Sequence, residues 1–287
     1  MVGTFSRSFR LVKESFAVLK KDKEIILFPI ISAIASIILL ASFVLPIYFY
    51  TDIPAAITKG NIAIMTDNYL YYLLLFVFYL FGYFIIIFFN TGLVTCAYLR
   101  LKGGDPTFGD GFKNALKHIK DIFLWALISA TVGMVLRLIA RRSNTLGKTA
   151  VGIAGMAWSL LTFFVIPVMV LENKGVGKSI EKSTELFRKT WGENVVGQFS
   201  MGLFFLILAI IGVIPLAMIA FTGSLILIVS AGILVILYWV ILAIISSSLD
   251  GIFVAALYIY ADTGKVSSVY SRELIRNVFR SETISRI

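Results

Sequence analysis

The chain has 287 residues, of which 59% are apolar and 15% charged, with a formal net charge of +10 at neutral pH. Ordinary soluble domains carry roughly 45–50% apolar and 25% charged residues, and Lys, Glu, Arg and Asp seldom go inside, which excludes a water-soluble globule, a disordered chain and a disulfide scaffold. One cysteine, Cys96, cannot form an internal bridge, and one histidine, His118, cannot build a multi-histidine metal site.

What remains is an all-α, polytopic helical membrane bundle. A bilayer core about 30 Å thick needs roughly 20 apolar residues in a helix. Spanning β-strands would alternate in short segments instead of running apolar without a break. The first 24 residues set Phe5, Phe9, Val12, Phe16 and Leu19 at steps of three and four, with Arg7, Arg10, Lys13, Glu14 and Lys20 between them. This is the pattern of a basic amphipathic helix suited to the headgroup plane. The first apolar run, 25–49, is uncharged, and it is too long for a cleavable signal. The second, 69–99, opens with Tyr69, Tyr71 and Tyr72 as an outer interfacial anchor and has Asn90 as its most polar interior residue.

A second amphipathic helix follows, with Phe108, Phe112, Ala115, Ile119 and Phe123 interleaved with Lys113, Lys117 and Lys120. Asp105 and Asp110, flanking Pro106, are expected to cap it, and His118 reads as a surface imidazole. The third run, 122–140, carries only Arg137, and the fourth, 150–171, has no charge. Arg141, Arg142 and Lys148 lie between them and, with Arg137, form either a snorkelling interfacial cluster or a site for an anionic lipid or substrate group. A third amphipathic stretch has Val176, Ile180, Phe187, Trp191 and Val195 among Lys178, Lys182, Arg188 and Lys189, with Glu181 and Glu185 pairing at helical spacing. The fifth run is 195–221. The sixth, 224–261, holds the single charge Asp250, and Val266, Tyr270, Leu274 and Val278 with Arg272, Arg276 and Arg280 make a fourth amphipathic helix. Pro29, Pro46, Pro167 and Pro215 are expected to kink or end spans.

Lys and Arg set the orientation. Segments 1–24, 100–121, 172–194 and 262–287 carry 6, 5, 5 and 5 of the 26, and the alternate side carries 5, which predicts a multi-pass protein of the cell membrane with both termini cytoplasmic. Residues 1–264 form one six-span membrane domain, and 265–287 a cytoplasmic amphipathic tail. Three units of interfacial helix plus hairpin, 3–103, 104–174 and 175–264, suggest themselves. Residues 27–33 resemble 124–130, and Asn90-Thr91-Gly92 with Tyr98 and Gly104 matches Asp250-Gly251 with Tyr258 and Gly264 at an offset of 160. Such units are parallel, unlike the inverted repeats of many transporters.

Charged and amide groups at membrane depth are costly and therefore functional candidates. Asp250 lies roughly 18 Å along a helix from Asp262, near mid-membrane, and Asn90 is its repeat counterpart. With Gln198 and Ser247 they form a midplane polar site, read either as an interhelical hydrogen-bond cluster or as the path of a channel or carrier. The length of the last run is explained by a break near 246–251 or by a straight helix leaving the membrane. Headgroup contacts are expected from Lys113, Lys117, Lys120, Lys178, Lys182, Arg188, Lys189, Arg141 and Arg142.

No catalytic, phosphate-cradling or metal motif occurs, so the expectation is a non-enzymatic protein without cofactors. The positives follow the positive-inside order, so their counterions are membrane lipids with anionic headgroups and not nucleic acid. The first functional expectation is engagement of anionic lipid through the interfacial helices, organising the membrane or a partner complex, in a homo-oligomer. The alternative is the channel or carrier.

Residues 158–167, ending in Val165-Ile166-Pro167, and the following Glu172-Asn173-Lys174-Gly175 resemble an uncharacterised family of bacterial and archaeal integral membrane proteins. So do Lys182-Ser183, residues 188–193, Phe5-Ser6-Arg7-Ser8 and Asp22-Lys23-Glu24. More distantly the chain looks like the membrane domain attached to some glycerophosphodiester phosphodiesterases, whose catalytic domain it lacks. The resemblance implies the six-span architecture and no activity.

Overall fold

The computed structural model describes the backbone of residues 2–50, 69–220 and 223–264, and their side chains apart from 2–11, 47, 49–50, 69–71, 191–200 and 220. The expected tail helix at 265–287 and Lys59 lie outside the described residues. Nine α-helices make up the described chain: α1 (Val2–Lys21), α2 (Leu27–Tyr50), α3 (Tyr69–Leu101), α4 (Phe108–Lys117), α5 (Ile119–Arg142), α6 (Thr145–Leu161), α7 (Val165–Leu171), α8 (Val176–Ala220) and α9 (Leu225–Thr263). A 3-10 turn, Lys23–Ile26, joins α1 to α2.

Six helical stretches are long and apolar enough to cross a membrane: Lys23–Pro46, Tyr72–Leu101, Ile119–Arg142, Thr145–Leu171, Met201–Ile219 and Leu225–Thr263. Each covers most of one expected run. Their outer faces carry bare Ile37, Met218, Ile226 and Leu234, a surface that water would not tolerate and hydrocarbon does. The protein is a multi-pass helical membrane protein.

Helix α3 is the centre of the bundle and packs on α2, α4, α5 and α9. One core, around Phe28, Leu93, Phe164, Met201, Leu249 and Ile252, joins it to α2, α8 and α9. A second, around Phe88, Ile122, Trp125, Val165 and Met169, joins it to α5 and α7. The short α7 is a wedge between the two, and this explains why a seven-residue helix is buried almost throughout.

The structure breaks the fourth span and leaves the sixth whole. Pro167 has no N–H for the carbonyl of Phe163, and its ring crowds that carbonyl, so α6 ends at Leu161 and α7 restarts at Val165. Ser183 of α8 repairs the gap: its Oγ donates to Leu161 O (2.7 Å) and accepts from Phe164 N (3.0 Å). No proline lies in 246–251, and Ser248 merely bonds back to Ile244 O at 2.9 Å, which a helix accommodates. Helix α9 is continuous over 39 residues, so its surplus length is a straight extension and not a break.

The amphipathic helices also differ from expectation. Instead of lying wholly on lipid, they turn their apolar faces to the bundle, because a stripe at helical spacing suits either partner. Val12, Val18 and Leu19 of α1 are buried as α1 packs on α8 and α9. In α4, Phe108 stands 4.6 Å from Phe28 and Phe112 5.4 Å from Phe88, ring centre to ring centre. The third stretch is no separate helix but the first half of α8, which bends at Thr190 (φ −125°, ψ 22°) before its span.

Each of the three described amphipathic stretches therefore meets its span at one non-helical, buried polar residue: Asp22 (φ −134°), His118 (φ −101°) and Thr190, exposed by 5%, 5% and 2%. His118 is thus not the surface imidazole expected. Its Nδ1 lies 2.9 Å from Asn114 O and its Nε2 3.0 Å from Asn173 Oδ1.

Candidate functional site

Asn90 and Asp250 line one cavity of about 380 Å³ between α2, α3 and α9. Helix α9 contributes Ala243, Ser246, Ser247, Asp250, Gly251 and Val254, spaced by three and one as a single helical face requires. Helix α3 contributes Ile86, Phe89, Asn90 and Leu93 by the same rule, and α2 adds Pro29 and Ser32. Among the described residues Asp250 is the only charged side chain on the wall.

Depth follows from the two ends of α3. At one end Arg137 donates to Tyr79 Oη, and Arg141 Nη1 donates to Tyr72 Oη at 3.0 Å, so these arginines of the expected outer cluster are held by tyrosines although exposed, and Arg142 is exposed as well. At the other end Arg100 Nη2 donates to Lys21 O (2.8 Å) and pairs with Asp105 (2.9 Å), and Nη1 donates to Gly104 O (3.1 Å). Tyr79 and Arg100 are about 32 Å apart along the helix, close to the thickness of a hydrocarbon core, and Asn90 is about 15 Å from Arg100. Leu93 packs against Gly251 and the Tyr98 ring lies 6.2 Å from that of Tyr258. Helices α3 and α9 are therefore parallel and in register, and Asp250 sits at the depth of Asn90.

Among the described residues neither Asn90 nor Asp250 has a hydrogen-bond or ion-pair partner, and Asp250 and Ser247 are exposed. The side chain of Gln198 lies outside the described residues. Ser32 and Phe89 were not singled out from sequence. Phe89 follows from Asn90 by helical spacing, whereas no sequence signal ties α2 to this wall. Among the described residues no three His, Cys, Asp or Glu groups converge on a metal position.

At the end bearing α1 and α4 the basic side chains are largely exposed, and three of them are also tethered. Lys113, Lys120, Lys178 and Arg188 are exposed. Lys117 donates to Asn173 Oδ1 at 3.2 Å, and Lys182 and Lys189 flank Glu185 at 3.1 and 2.7 Å, holding its carboxyl below the ordinary value. The cap of α4 is Thr107, not Asp105: Thr107 and Asp110 satisfy each other's backbone N–H, which lowers the Asp110 pKa, and Glu24 Oε2 accepts from Phe108 N at 2.5 Å. Burial pushes the Asp22 carboxyl up against the opposing pull of Arg100, 3.5 Å away. Glu172 accepts from Tyr258 Oη (2.9 Å) and pairs with Lys174 (2.5 Å), raising the lysine's pKa.

Residues 69–268 match the family of unknown function DUF6159. The chain belongs to that family. No curated protein matches it. The DUF6159 match begins at α3, so it contains Asn90, Asp250, α4 and the Ser183 repair, and leaves out α1 and α2 with Pro29 and Ser32. The family brings no activity with it.

Proposed function

We propose that this DUF6159 protein is a non-enzymatic carrier or channel whose solute passes the cavity around Asn90 and Asp250. One observation carries the reading: a carboxylate near the middle of an apolar slab stands on the wall of a cavity, without a bonded partner among the described residues. A purely structural carboxylate at this depth is expected to be paired or hydrogen-bonded. The basic end, with Lys113 and Lys120, faces the cytoplasm in this reading, as the Lys and Arg bias demands. The test is solute and ion flux into proteoliposomes, wild type against Asp250→Asn. Uptake lost in the variant supports the proposal; a wild type inert towards ions and small solutes refutes it.

A second reading has its own support. Exposed Lys113 and Lys120 alternate with exposed Leu116, Ile119 and Phe123, a surface that suits an anionic monolayer. In that reading the interfacial helices engage lipid and organise the membrane or a partner complex. Replacing Lys113, Lys117 and Lys120 by Glu is then expected to abolish the preference of reconstituted protein for vesicles with anionic lipid, and an unchanged preference would refute it.

A further inference from the structure

We infer that the cavity between α2, α3 and α9 binds a small organic monocation, an amine or quaternary ammonium with an apolar body, held by the Asp250 carboxylate and the Phe89 ring. The inference rests on the reading of this cavity as a solute site and names its ligand class.

Charge comes first. Among the described residues Asp250 is the only ionisable group on the wall, so an anion would meet repulsion there, and a neutral solute would leave a carboxylate uncompensated in a medium of low dielectric. A single positive charge restores neutrality. Size comes next. The cavity is about 380 Å³, within the range of sites for small organic molecules and equal in volume to roughly a dozen waters. A bare inorganic cation needs six or more oxygens drawn within about 2.5 Å, and the oxygens of Ser32, Asn90, Ser246, Ser247 and Asp250 are spread over three helices around a much larger space.

The rest of the wall fits a cation with a hydrocarbon body. Ile86, Leu93 and Val254 offer apolar surface, and Phe89 offers a ring, whose face attracts ammonium groups. The serines and Asn90 accept hydrogen bonds from an N–H or bind the last waters of a quaternary ammonium.

Binding to purified full-length protein in nanodiscs, followed by calorimetry, tests this. The probes are tetramethylammonium, tetraethylammonium, sodium and tert-butanol, a neutral molecule with nearly the shape of tetramethylammonium. The expected result is saturable ammonium binding, weakened about 10-fold or more by Asp250→Asn and about 3-fold by Phe89→Leu, with tert-butanol bound far more weakly. The melting temperature of each variant confirms its fold, and Phe89→Leu keeps the test available should Asp250→Asn not assemble. Ammonium binding indifferent to both substitutions overturns the inference, as does tert-butanol binding equal to tetramethylammonium. Asp250-dependent binding of sodium alone overturns the ligand class but keeps the solute site. With no Asp250-dependent binding or flux for any probe, both fall.

Discussion

Leu93 of α3 fills the space that a side chain on Gly251 of α9 would occupy, with its Cδ2 pressed against the position of a Cβ there. This close approach sets α3 and α9 in register and places Asn90 and Asp250 on one wall. Gly251→Ala is expected to destabilise the bundle by about 1–3 kcal/mol through overpacking. Leu93→Ala in the same chain should restore part of the loss, a coupling that thermal unfolding in detergent of the two single variants and the double variant would reveal. Additive effects would mean that the contact does not position the helices.

Ser183 is the second test. Its hydroxyl serves both Leu161 O and Phe164 N at the break in the fourth span, in a place closed to water. Ser183→Ala leaves both backbone groups unpaired, at a cost of about 1–3 kcal/mol. Hydrogen exchange at Phe164 and Val165 should rise with the fall in melting temperature. Exchange unchanged at these amides would show that the break is satisfied by other means.

Arg100 and Asp22 give a prediction in pH. Burial raises the Asp22 pKa above 3.8 and Arg100 pulls it back, so Arg100→Gln should raise it further. A carboxyl raised on folding gives stability that is full below the unfolded value and lost as pH rises through the folded one. The deficit of Arg100→Gln relative to wild type is therefore expected to be smaller near pH 4 and to widen towards neutrality. Asp22→Asn in the variant should flatten the dependence. A deficit equal at all pH values would remove Asp22 from the account.

Asn173 combines a backbone and a side-chain role. Its φ of 52° lies in the left-handed region, which Asn tolerates better than most residues, and its Oδ1 meets both Lys117 and His118. Asn173→Gly should lose only the side-chain contacts, and Asn173→Ala should add a backbone penalty of about 1 kcal/mol. The expected order of melting temperatures is wild type, Gly, Ala. Ala at or above Gly would contradict it.

Much of the architecture was legible because hydropathy reports transfer into hydrocarbon, which depends on local composition alone: six runs such as 69–99 or 122–140 map onto six spans, the fourth of them broken into two helices. The offset of 160 between Asn90 and Asp250 likewise pointed to residues that share a cavity wall. What failed to show was anything set by a distant partner. The stripes of α1 and α4 do not say whether lipid or protein covers them, and His118 looks like a surface residue until Asn173, 55 positions away, is placed beside it. Ser32 reaches the cavity only through the packing of α2 on α3, and the serines at 246–248 suggested a break that Pro167 causes elsewhere.

The joints at Asp22 and His118 share a further property. Asp22 opens the first hairpin and is met by Arg100 at its close; His118 opens the second and is met by Asn173 at its close. The joint at Thr190 bonds within its own helix, to Leu186 O. During synthesis, then, each of the first two hairpins carries both halves of its own clasp, and can fasten before the next begins. Assembly in this order never leaves Asp22 or His118 waiting for a segment beyond its own hairpin, and the cavity, which needs α9, closes only after both clasps.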